Sequence, residues 1–142
     1  MSRDNDRNIY VFTHNSAGGD LDTDRESFSL ERPIKVMAVK FIGENPSDTD
    51  GDTTAIDVSY STDGFSASDV EIAALAAAEY NDTDNDIGTL RTAVDIALTT
   101  ASLDADGVSV RVPANAVVEV TGTNVGAGAD TRYAVVVEYV VL

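Results

Sequence analysis

The chain has 142 residues, 25 acidic and 9 basic side chains, no cysteine, and a formal charge of −16. That length suits one domain with a single core. The missing cysteines exclude disulfides and thiolate metal sites, the lack of a basic stripe excludes nucleic acid as a partner, and no apolar run is long enough for a membrane helix.

Met1 to Asn8 is polar and charged, so a flexible arm is expected there, with no secretory leader; residues 9–142 are expected to form the domain. Ile9 to Thr13 alternates as a strand. Asn15 to Glu26 reads as a polar loop, with Gly18-Gly19 and the aspartate burst Asp20, Asp22, Asp24. Ser27 to Leu30 predicts a short strand. Ile34 to Ile42 is apolar on both faces apart from Lys35 and Lys40, which predicts a strand covered on both sides.

A second burst, Asp48, Asp50 and Asp52, lies among Asn-Pro and Asp-Gly turn signals. Ile56, Val58 and Tyr60 then alternate with polar residues as a half-exposed strand. Ser68 and Glu71 have the spacing of a capping box, and the alanine-rich run to Tyr80 has high helix propensity, so one helix is expected over 69–80. After the third burst, Asp82, Asp84 and Asp86, further strands are predicted over 90–98, 108–112, 116–121 and 132–142. About eight short strands at this spacing predict an all-β, antiparallel β-sandwich of jelly-roll type.

Chemistry-bearing residues are few. Asp82, Asp84 and Asp86 have the alternate spacing of a Ca²⁺ loop, but Ile87 stands where an EF-hand needs glycine and Ala93 where it needs the bidentate acid. They remain the candidate ligands for Ca²⁺, Mg²⁺ or Na⁺ held outside an EF-hand; no cofactor is required. His14 is the single histidine and lacks a nucleophile setting, so a hydrogen-bonding role is expected rather than catalysis. Asp57, Asp95, Glu119 and Glu138 are the acids within strands, and Glu138 is expected to pair with Arg132 or Arg111. The tyrosines are expected in core and interface packing rather than on a sugar platform. No enzyme constellation emerges.

Aspartate exceeds glutamate and arginine exceeds lysine, with abundant Ala, Val and Thr; this composition resembles proteins of halophilic archaea and their viruses. The closing strands, Val-Ser-Val-Arg-Val-Pro over 108–113, Ala-Val-Val-Glu-Val-Thr over 116–121 and Arg132 to Leu142, are similar to those of small jelly-roll proteins on virus particles. With its composition, the chain resembles capsid decoration or turret proteins of haloarchaeal tailed viruses. The resemblance implies a structural virion protein at the virion surface in high salt, self-associated and seated on the major capsid protein or another virion protein; it transfers no catalytic residue. Three or five copies are expected around an axis. Val135, Val137, Tyr139, Val141, Met37, Val39 and Phe41 are the expected interface residues. A tail-tube subunit and a cation- or carbohydrate-binding module are the alternatives.

Overall fold

Nine strands make up the computed structural model, which describes residues 7–15, 21–47, 50–66, 69–81, 83–126 and 131–142. They are β1 (Arg7–Asn15), β2 (Leu21–Ser29), β3 (Ile34–Asn45), β4 (Thr53–Ser61), β5 (Val70–Glu79), β6 (Ala93–Ile96), β7 (Val110–Val112), β8 (Val117–Val125) and β9 (Arg132–Val141). One sheet runs β1-β9-β3, with β6 and β7 sharing the far side of β3; the other runs β2-β8-β4-β5. All pairings between these strands are antiparallel. With β6 and β7 counted as one interrupted strand, this order is that of a jelly roll. Among the described residues no helix is long and apolar enough to cross a membrane.

The core follows from period-two alternation. Phe12 of β1, Val118 and Val120 of β8, and Tyr133, Val135 and Val137 of β9 all point between the sheets and are buried. Removing such a side chain from water contributes roughly 1.5–3 kcal/mol each. β3 departs from strict alternation. A bulge between Val36 and Ala38 shifts the inward positions from Ile34 and Val36 to Val39, Phe41 and Gly43. That one extra residue lets β3 send five residues inward while Lys35, Lys40 and Ile42 remain half-buried.

Residues 69–80 correct the expected helix. Val70–Glu79 is strand β5, paired with β4 from Tyr60 to Thr53 and irregular at two points. Ile72 and Ala73 are buried against the core, and the hydrogen-bonded ladder with β4 outweighs alanine's intrinsic preference. Ser68, the expected cap, lies outside the described residues; Glu71 accepts from the Thr99 hydroxyl at 2.6 Å. The only described helical turn is a 3₁₀ segment, Thr100–Ser102.

The boundaries also move. β1 starts at Arg7, so Arg7 and Asn8 belong to the sheet and not to the expected arm; residues 1–6 lie outside the described residues. β2 starts at Leu21, so Asp22 and Asp24 stand in a strand rather than a loop. The registers place the strand ends Asn15, Arg132 and Asn45 of one sheet, and Leu21, Val125, Thr53 and Glu79 of the other, at one end of the sandwich. Asp22 and Asp24, Asp50 and Asp52, and Asp84 and Asp86, far apart in sequence, thus belong to one end.

Candidate functional site

The interior of that end is polar. His14 closes the inward row of β1, with its side chain sealed from solvent and its ring stacked on Tyr133 at 4.7 Å. Its Nδ1 lies 2.8 Å from Asp24 Oδ2, and its Nε2 lies 2.6 Å from Asn124 Nδ2. Asn124 Oδ1 accepts from the Thr54 hydroxyl at 2.7 Å, which leaves the amide nitrogen to donate to His14. The imidazole lone pair is therefore occupied, so His14 ties four strands together and is unsuited to act as a general base. Gly122 makes room for this cluster: a Cβ there would collide with the Tyr133 hydroxyl.

The loops above it are tied by a second polar set. Asp52 is buried, accepts from the Ser47 hydroxyl, and its carbonyl accepts from the Tyr80 amide at 3.0 Å. Gly126 has φ of +137°, and a Cβ there would overlap the Asp52 carboxylate. Asn81 Oδ1 accepts from the amides of Thr83 and Asp84 at 3.0 and 2.7 Å. Tyr80 donates to the Arg132 carbonyl at 3.1 Å, and burial pushes its phenol up to about 12.

The expected metal ligands are Asp82, Asp84 and Asp86. Asp84 and Asp86 are exposed, Asp82 lies outside the described residues, and no trio of His, Asp or Glu among the described residues is arranged to hold a metal. The acids instead repel. Loss of hydration, and then the charges of Asp84, Asp86 and Asp50, hold the Glu79 carboxyl above its ordinary range.

The two outward faces differ in chemistry. On the β1-β9-β3 sheet the registers line up Arg7, Val140, Lys35 and Arg111 in one row, then Val11, Val136, Lys40 and Asp95, then Thr13, Ala134, Ile42 and Ala93. Ile9 and Val11 are 61% and 44% exposed, which marks this as the apolar side. Both lysines and three of the seven arginines are here. Glu138 receives Arg7 at 3.2 Å and Lys40 at 3.3 Å, and Lys35 lies 3.0 and 3.1 Å from Asp104 and Asp106. Among the described residues, Arg111 and Arg132 have no carboxylate within ion-pair distance. Beside Arg132 a shallow cleft of about 340 Å³ is lined by Thr13, Ile42, Glu44 and Ala134.

The other sheet presents a different face. Thr23, Arg25 and Ser27 stand beside Thr123, Thr121 and Glu119, and these beside Ala55, Asp57 and Ser59. Partial burial, then the charges of Glu71, Asp69 and Glu119, raise the Asp57 carboxyl, against a lowering by the Ser59 hydroxyl. It is a hydroxyl- and acid-rich surface with small side chains.

No family model, no curated protein and no solved structure matches the chain. The geometry therefore carries the reading of function by itself.

It corrects the expected interface. Val39, Phe41, Val135 and Val137 are buried in the sandwich core and are not available to a second subunit. Tyr139 is half-buried in an inner stack, 5.6 Å from Phe28, which lies 4.5 Å from Tyr10. Of the seven, Met37 is half-buried and Val141 is exposed. Both faces of β9 are apolar, and its outer set is Ala134, Val136 and Val140. Glu138 pairs with Arg7 and Lys40, not with Arg132 or Arg111, because β1 and β3 flank β9 at that position. The missed signal was acid depletion: residues 7–19 and 32–43 contain no Asp or Glu, in a chain with 25.

Proposed function

We propose that this chain is a structural subunit of a virus particle from a high-salt environment, a decoration or turret jelly roll that attaches through the outer face of its β1-β9-β3 sheet. The observation that carries this reading is the division of chemistry between the two faces. A chain of charge −16 repels any acidic partner at most of its surface. The acid-poor face, with its exposed Ile9 and Val11 and the unpaired cations Arg111 and Arg132, is where an acidic capsid surface can approach closely. The Ser, Thr and acid face and the aspartate loops then face brine. The strand order supports the same reading, since jelly rolls recur in capsid architecture.

The test is stoichiometric co-purification with particles, followed by rebinding of recombinant protein to stripped particles. Arg111→Glu with Arg132→Glu is expected to weaken rebinding at least tenfold and leave the melting temperature nearly unchanged, since both side chains are exposed and unpaired. Absence of the protein from purified particles would refute the proposal.

A further inference from the structure

Among the described residues the edge positions of the two sheets are held by β1, by β6 and β7, by β2, and by β5, which also bridges to Leu98, and their sequences are not alike. β2 carries Asp24 and Glu26, and full antiparallel overlap of two β2 strands would set Asp24 of one copy against Glu26 of the other. β5 carries two irregularities, and near-full overlap of two copies sets Glu71 against Glu79. Like charges directly opposite destabilise a strand pair, and irregular edges resist pairing. β6 and β7 are four and three residues long and interrupted. β1 has none of these obstacles. It has nine residues, no acid, no proline, no irregularity against β9, and Ile9 and Val11 exposed. Among the described residues it pairs only with β9.

We propose that β1 is the seam between two copies of this chain, joined by antiparallel β1–β1 pairing across a two-fold axis. The proposal rests on the reading of the chain as an assembly subunit. A two-fold perpendicular to the sheet keeps outward residues outward, so each residue pairs with one of its own parity. The register that overlaps all of Arg7–Asn15 then centres on Val11. It pairs Val11 with Val11, Ile9 with Thr13 and Arg7 with Asn15. The β-branched pairs fall on the outer face, where such pairs stabilise a sheet. No carboxylate of β1 opposes its mate, so this is the edge at which two chains of charge −16 meet with least repulsion. Tyr10 and His14 hold Glu26 and Asp24 of β2 at 3.0 and 2.8 Å, so these carboxylates are engaged within the subunit. The two outer faces become one continuous surface of doubled area, suited to a broad particle surface.

The chain has no cysteine, so single-cysteine variants report the register. In the proposed pair, the two Val11 Cα atoms are about 5 Å apart. The two Ile9 Cα atoms are four residues apart along the strand, about 13 Å. A disulfide needs less than about 7 Å. Under mild oxidation at high salt, Val11→Cys is expected to cross-link mostly to dimer, and Ile9→Cys at least tenfold less. A double Ile9→Lys, Val11→Lys variant is expected to be monomeric by native mass and sedimentation, with its fold retained by circular dichroism. Equal cross-linking of both cysteine variants, or a wild-type chain that stays monomeric at high salt and about 100 µM, would overturn the seam. A monomer that decorates particles sinks the seam alone; a cross-linked dimer never found on particles sinks the virion reading alone.

Discussion

Replacing Asn124 by alanine removes the amide that joins His14 to Thr54 inside the polar end of the sandwich. Both hydrogen bonds are short, 2.6 and 2.7 Å, and His14 and Thr54 are each about 1% exposed, so water cannot easily replace the lost partner. Each orphaned buried group costs about 1–3 kcal/mol, so Asn124→Ala is expected to lose about 2–4 kcal/mol in all. For a chain of this size that corresponds to a fall in melting temperature of roughly 4–16 °C. Thr54→Val removes one bond and is expected to lose about 1–2 kcal/mol. The two substitutions share the Thr54–Asn124 bond, so a double-mutant cycle is expected to show a coupling of at least about 0.5 kcal/mol. The assay is urea unfolding at constant high KCl, which keeps surface repulsion screened while the interior is perturbed. A loss below about 0.5 kcal/mol for Asn124→Ala, or strict additivity with Thr54→Val, would show that the relay does not hold the strands together.

Other outcomes follow from the same geometry. Gly122→Ala is expected to destabilise by roughly 1–3 kcal/mol through collision with the Tyr133 hydroxyl, and Tyr133→Phe is expected to recover part of that loss, as thermal melts of the double variant can check. The Ala105 amide and then Lys35 lower the Asp104 carboxyl, and the Ser109 hydroxyl and Val108 amide, more than Lys35, lower that of Asp106, so their contribution is present above the ordinary aspartate range and lost as pH falls below it toward the lowered folded values; Asp106→Asn is expected to flatten the acid limb of stability against pH. Glu79 has the opposite sign. Its raised folded pKa means the folded state resists losing that proton, so Glu79→Gln is expected to stabilise at neutral pH and low salt, and to lose the effect in acid or high salt. The Tyr80 contribution is full below pH 10 and is lost as pH rises toward about 12, so Tyr80→Phe is expected to reduce the alkaline slope of a denaturation series.

Much of the framework was legible in the sequence because alternation reports it directly. Val118 and Val120 alternate with polar residues, and such strands fold as they read. The failures have physical causes. The alanine run at 73–78 carries helix propensity, yet a single strand of backbone hydrogen-bond donors from β4 captures it. The first aspartate burst resembles a loop, but Asp24 is recruited into β2 facing His14. The expected interface residues Val135 and Val137 fell on the core side of β9 because Val135 and Val136 are equally apolar, and hydrophobicity cannot choose between two apolar faces. The outer face was legible in a different signal, the absence of acid from β1 and β3.

Composition and period-two alternation by themselves determined that this is an acidic all-β sandwich without a thiol. These are properties of local segments and sums, which need no knowledge of neighbours. Only the tertiary structure decided which strands pair, that a bulge in β3 turns both Val36 and Val39 inward, and that Asp24, Asp52 and Asp84 belong to one end. Those outcomes depend on register between strands distant in the chain, and register is set by how the whole set of inward side chains fills one core.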